Sequence, residues 1–77
     1  MNKNTLRLAQ TIKRNASADR PTTINPDCSV SDIREQSGLS ESEFHDAIQE
    51  LKAYGMITLS YGNSEIVDIQ LTKEFDI

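Results

Sequence analysis

Residues 31–57 read SDIREQSGLSESEFHDAIQELKAYGMI, and this stretch decides the fold. Ser31 is placed to cap a short helix over 32–37, with Asp32 adding an anion to its first turn. Gly38 follows where a left-handed residue is wanted to end that helix, because a side chain would clash there. Ser40 and Glu43 have the Ser-x-x-Glu spacing of a capping box, so a second, stronger helix is expected over 41–54. At about 100° per residue Phe44, Ala47, Ile48 and Leu51 share one face with Tyr54 at its edge, and Ser42, Asp46, Gln49 and Ala53 point away. Gly55 stops the helix, and Met56-Ile57 opens an extended run.

Downstream, Ile57, Leu59 and Tyr61 alternate as on a strand, and Val67, Ile69 and Leu71 answer them after Gly62-Asn63-Ser64. A β-hairpin over 56–72 follows. A two-residue Gly62-Asn63 turn would set Ile57 opposite Asp68, whereas a three-residue loop pairs Leu59 with Val67 and Ile57 with Ile69, and the second register is preferred. Residues 73–77 form a tail in which Phe75 is free to dock on the core or on a second copy. Upstream, Leu6, Ala9, Ile12 and Ala16 recur at helical spacing with Leu8 beside them, which predicts a first helix over 4–16. Arg20-Pro21 and Asn25-Pro26 break that pattern, so 17–30 reads as a loop, with Thr22–Ile24 extended and a short strand at Cys28–Val30.

Seventy-seven residues allow one domain with a small core, and 36% apolar against 26% charged residues suits a globule rather than a disordered tail. The net charge of −4 is unevenly spread: through Arg20 five cations face Asp19 alone, whereas 21–77 hold three cations and eleven carboxylates. No apolar run approaches a membrane span, so the expectation is a cytoplasmic protein without a membrane partner. Cys28 has no second cysteine for a disulfide or a zinc pair and reads as a small half-buried residue. His45 lies one turn from Glu41 and Gln49, but a single imidazole makes a poor metal site. No nucleophile–base–orienter set and no phosphate-binding loop is visible, so neither an enzyme nor a cofactor is expected.

The run Leu39 to Ile57, with its apolar spacing, the small Ala47, Leu51, Gly55 and Ile57, resembles winged helix-turn-helix domains of small prokaryotic transcription regulators. The resemblance implies an α+β fold with a three-helix core and a C-terminal two-stranded hairpin wing. It also implies that 41–54 is the recognition helix, that Ser42, Asp46, Gln49 and Ala53 read bases, and that Asn63 sits at the wing tip. Double-stranded DNA is then the expected target, with Lys3, Arg7, Lys13, Arg14, Arg20 and Arg34 as phosphate contacts; the oligomeric state stays open between a monomer and a homodimer, since regulators of this type commonly pair. A second reading stands beside it. The third helix carries Glu41, Glu43, Asp46 and Glu50 against Lys52, and no Lys or Arg occurs from Ala53 to Thr72. That charge suits a protein-interaction module in which His45, Asp46, Glu50 and their neighbours dock a basic partner, DNA mimicry being its narrowest form.

Overall fold

A computed structural model describes residues 1–76. Its elements are α1 (Lys3–Arg14), α2 (Val30–Ser37), α3 (Glu41–Ala53), β1 (Ile57–Gly62) and β2 (Glu65–Leu71). Three helices followed by an antiparallel hairpin make an α+β domain with the layout of a winged helix.

The helix ends follow local chemistry. Ser40 and Glu43 form the expected capping box, Glu43 N–H donating to Ser40 Oγ at 3.2 Å and Ser40 N–H to Glu43 Oε1 at 2.9 Å. Gly38 takes φ of 73°, the left-handed conformation expected of it, and Gly55, expected to stop α3, takes φ of 75°. α2 differs from expectation, because Ser29 rather than Ser31 caps it and the strand at Cys28–Val30 does not form. The reason is reciprocity: from Ser29 the third helical residue is Asp32, whose Oδ2 accepts from Ser29 N–H at 3.0 Å while Asp32 N–H donates to Ser29 Oγ at 3.1 Å. Ser31 offers no acid three residues on.

α1 also turns from its expected face. Thr5, Leu8, Ala9 and Ile12 are buried, whereas Leu6 is 41% exposed and Ala16 lies beyond the helix in a bridge with Ile24. Leu8 therefore takes the place assigned to Leu6. The threonines tolerate burial because each hydroxyl donates, Thr11 to Arg7 O and Thr5 to Glu50. The core joins that stripe to Ile33 of α2, to Phe44, Ala47, Ile48 and Leu51 of α3, and to Met56, Ile57, Ile69 and Leu71 of the hairpin. Cys28 is half-buried, as expected, and burial followed by the Asp32 charge pushes its thiol up from its ordinary pKa. Phe75 packs half-buried against the core. Of the stretch expected to be extended, Thr23 and Ile24 form isolated bridges while Thr22 lies in a turn; Leu71 N–H donates to Thr22 O at 2.8 Å and Thr23 bridges Gln70, covering the outer side of β2.

Neither expected hairpin register occurs. The turn is Asn63-Ser64, both at positive φ (51° and 66°), so that Gly62 pairs with Glu65 and Tyr61 with Ile66. A bulge then ejects Val67, Ser60 pairs with Asp68, and the apolar pairs become Leu59 with Ile69 and Ile57 with Leu71. The bulge resolves the conflict that the sequence poses. It returns Ile69 and Leu71 to the core, where unbulged pairing from this turn would set Asp68 opposite Leu59, at the cost of a 58% exposed Val67. Gly62 stays in the strand, and a Cβ there would meet Val67 Cγ1 at 3.1 Å, so a side chain at this position would require Val67 to shift by a few tenths of an ångström. At the hairpin root, Met56 N–H donates to Leu51 O at 3.1 Å, Thr72 N–H to Met56 O at 3.0 Å, and Thr72 Oγ1 to Gly55 O at 2.6 Å.

Candidate binding face of α3 and the wing

With Phe44, Ala47, Ile48 and Leu51 turned inward, the helical period divides the rest of α3 into three rows. Glu43 and Glu50 face α1. Ser42, Asp46 and Ala53 point outward and are exposed, as expected. Glu41, His45, Gln49 and Lys52 turn toward the wing. Asp46 and Gln49 thus stay clear of the core.

The α1 row is committed to the fold. Glu50 Oε2 accepts from Thr5 Oγ1 at 2.8 Å and from Asn2 Nδ2 at 3.0 Å, and Glu50 is half-buried. One oxygen of the Glu50 carboxylate, expected to face a partner, is thus engaged within the molecule. Glu43 Oε2 accepts from Asn4 Nδ2 at 3.4 Å. The Ser40 backbone N–H, then the Ser40 hydroxyl, hold its carboxyl below the usual range, with smaller help from Asn4 and the Arg7 charge. Half of the carboxylates that make α3 acidic in sequence are thereby turned away from its free side.

The wing row borders an open cleft of about 370 Å³. Phe44, Val30 and Ile66 supply its apolar lining. Arg34 and Ser31 of α2 stand on one side, Glu41, His45 and Gln49 of α3 beside them, and Tyr61, Ser64 and Glu65 of the wing opposite. Lys52 Nζ lies 5.8 Å from the centre of the Tyr61 ring, within cation–π range, and links the last turn of α3 to β1. Of the expected site residues the fold thus brings together Arg34, His45 and Gln49 in the cleft. Ser42, Asp46 and Ala53 lie on the adjoining outward row, and Asn63 is exposed at the wing tip beside Ser64.

The other cations are elsewhere. Arg7 reaches over the turn between α2 and α3, its Nη1 lying 3.9 Å from where a Cβ on Gly38 would sit. Lys13 and Arg14 border a separate groove with Leu6 and Asp76, Arg20 lies in the 17–26 loop, and Lys3 is exposed at the start of α1. Arg7 is close enough to Glu43 to lower its carboxyl and so lies beside the start of α3, whereas Lys3, Lys13, Arg14 and Arg20 do not line the cleft. Among the described residues no group of three or more His, Cys, Asp or Glu is placed to hold a metal ion, and no helix is long and apolar enough to cross a membrane.

Tyr61, Glu65 and Ser31 were not singled out from sequence as site residues. Ser31 reads from sequence as a helix cap, while Tyr61 and Glu65 belong to the turn end of the wing, where Tyr61 pairs with Ile66 and Gly62 with Glu65. Glu41 was visible in principle, since it precedes His45 and Gln49 by one and two turns. Comparisons with protein-family models, with curated proteins and with solved structures return no match.

Proposed function

We propose that this chain is a small non-enzymatic regulator of the winged helix-turn-helix kind that binds duplex DNA through α3 and the wing. The observation that carries this reading is the engagement of Glu43 and Glu50 by α1. It leaves Glu41 and Asp46 on the free side of α3, offset by Lys52 on the same helix and Arg34 across the cleft. The free side of α3 then has base-reading chemistry: the Gln49 amide on the wing row matches an adenine edge, while on the outward row Asp46 accepts from a cytosine amino group and Ala53 suits a thymine methyl. With Arg34 and Lys52 as the flanking cations, binding is weak and depends shallowly on salt. Two phosphate contacts give a log–log slope of about −2.

Fluorescence anisotropy with duplex DNA between about 50 and 200 mM salt tests this. The expected result is binding with that slope, reduced by about one on Arg34→Ala or Lys52→Ala, with Gln49→Ala altering sequence preference at nearly constant slope. No binding at the lowest salt, or binding indifferent to salt, overturns it.

A second reading is favoured by the wing itself, which carries Glu65 and Asp68 but no Lys or Arg, beside a cleft with an apolar lining. Such a cleft suits a basic protein segment with an apolar anchor. Titration with a Lys- and Arg-rich peptide separates the two: this reading requires binding that Glu41→Lys and Glu65→Lys abolish.

A further inference from the structure

We infer that the open edge of β1 is a docking site for an extended, acidic peptide segment of a partner protein, which joins the wing as a further strand. The hydrogen bonding of the hairpin fixes which backbone groups that edge presents. Thr72 N–H donates to Met56 O, and Leu71 N–H turns the other way to Thr22 O, so along β1 the even-numbered residues face β2 and the odd-numbered ones face out. The two-residue turn keeps that alternation beyond the bulge, because Gly62 closes it with Glu65. Leu59 and Tyr61 therefore turn their N–H and C=O groups to the open edge, and nothing among the described residues bonds to those groups. Ile57 is buried, which limits the accessible edge to 58–62.

Donors and acceptors repeating every second residue, at intervals of about 6.8 Å, are matched by an extended backbone. A phosphate backbone offers acceptors for the N–H groups but no donors for the carbonyls. Sheet edges are ordinarily blunted by charge, proline or a bulge. The sequence of β1, Ile-Thr-Leu-Ser-Tyr-Gly, has neither charge nor proline, and the bulge lies in β2, whose own outer edge is covered by Thr22 and Thr23.

The charges set the chemistry of the occupant. Lys52 Nζ stands 5.8 Å from the Tyr61 ring centre, and among the described residues it meets no carboxylate. Glu65 and Asp68 belong to β2, so β1 stands between them and the edge, and Asp68 already accepts from Gln70 Nε2 and Ile69 N–H. A residue opposite Leu59 meets a half-buried apolar side chain, and the residue two further on, opposite Tyr61, brings a carboxylate to Lys52. A second copy of β1 has no carboxylate to offer there, since its six residues are uncharged. The inference is independent of DNA binding by α3, because it rests on the backbone of β1.

Amide hydrogen exchange of the full chain, followed by NMR without DNA, tests the proposal. The probe is the end-capped peptide Thr-Val-Thr-Glu-Thr-Val-Thr, which reads alike in both directions. In the free protein the Leu59 and Tyr61 amides are expected to exchange at least about tenfold faster than those of Thr58 and Ser60, which face β2. At about 1 mM peptide the Leu59 and Tyr61 amides slow by at least about threefold, and the same peptide N-methylated throughout has no effect. Lys52→Glu, at an exposed position, removes that protection, and the peptide with Lys in place of Glu restores it on the variant. Leu59 and Tyr61 amides already protected in the free chain, exchange unmoved by the peptide, an equally effective N-methylated peptide, or a charge swap that fails to restore protection overturns the proposal. Protection that rises with protein concentration alone would assign the edge to a second copy, and protection by duplex DNA but not by peptide would assign it to nucleic acid; either overturns it equally.

Discussion

The two flanks of α3 carry the same kinds of residue and use them differently. On the α1 side, Glu43 and Glu50 accept hydrogen bonds from Asn4, Asn2 and Thr5, and they help fix how α1 crosses the helix. On the wing side, Glu41, His45 and Gln49 stand at an open cleft. The difference teaches that the formal charge of a helix is a poor guide to its binding potential until each carboxylate's partner is known. A carboxylate already accepting two hydrogen bonds is a structural group first.

The contrast can be broken most severely from beneath. Ile48 is fully buried under both flanks, so Ile48→Ala should cost about 2–5 kcal/mol. For a domain of this size, whose total stability is on the order of 4–11 kcal/mol, that is enough to lose folding and binding together, which urea denaturation would show. A sharper cut separates the flanks. Glu50→Ala should cost about 1–3 kcal/mol by stranding the Thr5 hydroxyl, and should be non-additive with Thr5→Val by more than about 0.5 kcal/mol in a double-mutant cycle. Gln49→Ala, one residue along the chain but exposed on the wing side, should leave the same denaturation midpoint nearly unchanged.

The smallest effect concerns the start of the helix. Ser40→Ala should cost about 1 kcal/mol near neutral pH through loss of the cap. The Glu43 carboxyl is held below its ordinary value, so its stabilising contribution is complete above the unfolded pKa and is lost as pH falls through the folded one. The stability gap between wild type and Ser40→Ala should therefore narrow on acidification below about pH 4.3, and denaturation midpoints measured down that range would show it. A gap constant with pH would leave the serine hydroxyl without its part in holding Glu43 ionised.

What could be read from sequence was local. Gly38, Gly55 and the Ser40–Glu43 box declared themselves because each needs only residues within a few positions, and the burial of Phe44, Ala47, Ile48 and Leu51 followed from the helical period. The cap at Ser29 was legible too, given that Asp32 can replace Glu in the reciprocal pair. The hairpin register was not. It depends on Asn63 and Ser64 accepting left-handed geometry while the nearby Gly62 stays in the strand, and on a bulge that reconciles Asp68 with the apolar pairs. The site was half legible: its outward row came from periodicity, but the commitment of Glu50 and the membership of Tyr61 and Glu65 depend on where α1 and the wing come to rest.

The bonds at the root of the hairpin bear on how any target is met. Gly55 hands its carbonyl to the Thr72 hydroxyl while Met56 is held by both Leu51 and Thr72, so the wing leaves α3 at an angle bolted at three points. The jaws of the cleft are consequently preset. A ligand of the proposed kind would spend little entropy on shaping them, and would be selected for what already fits rather than mould the protein around it.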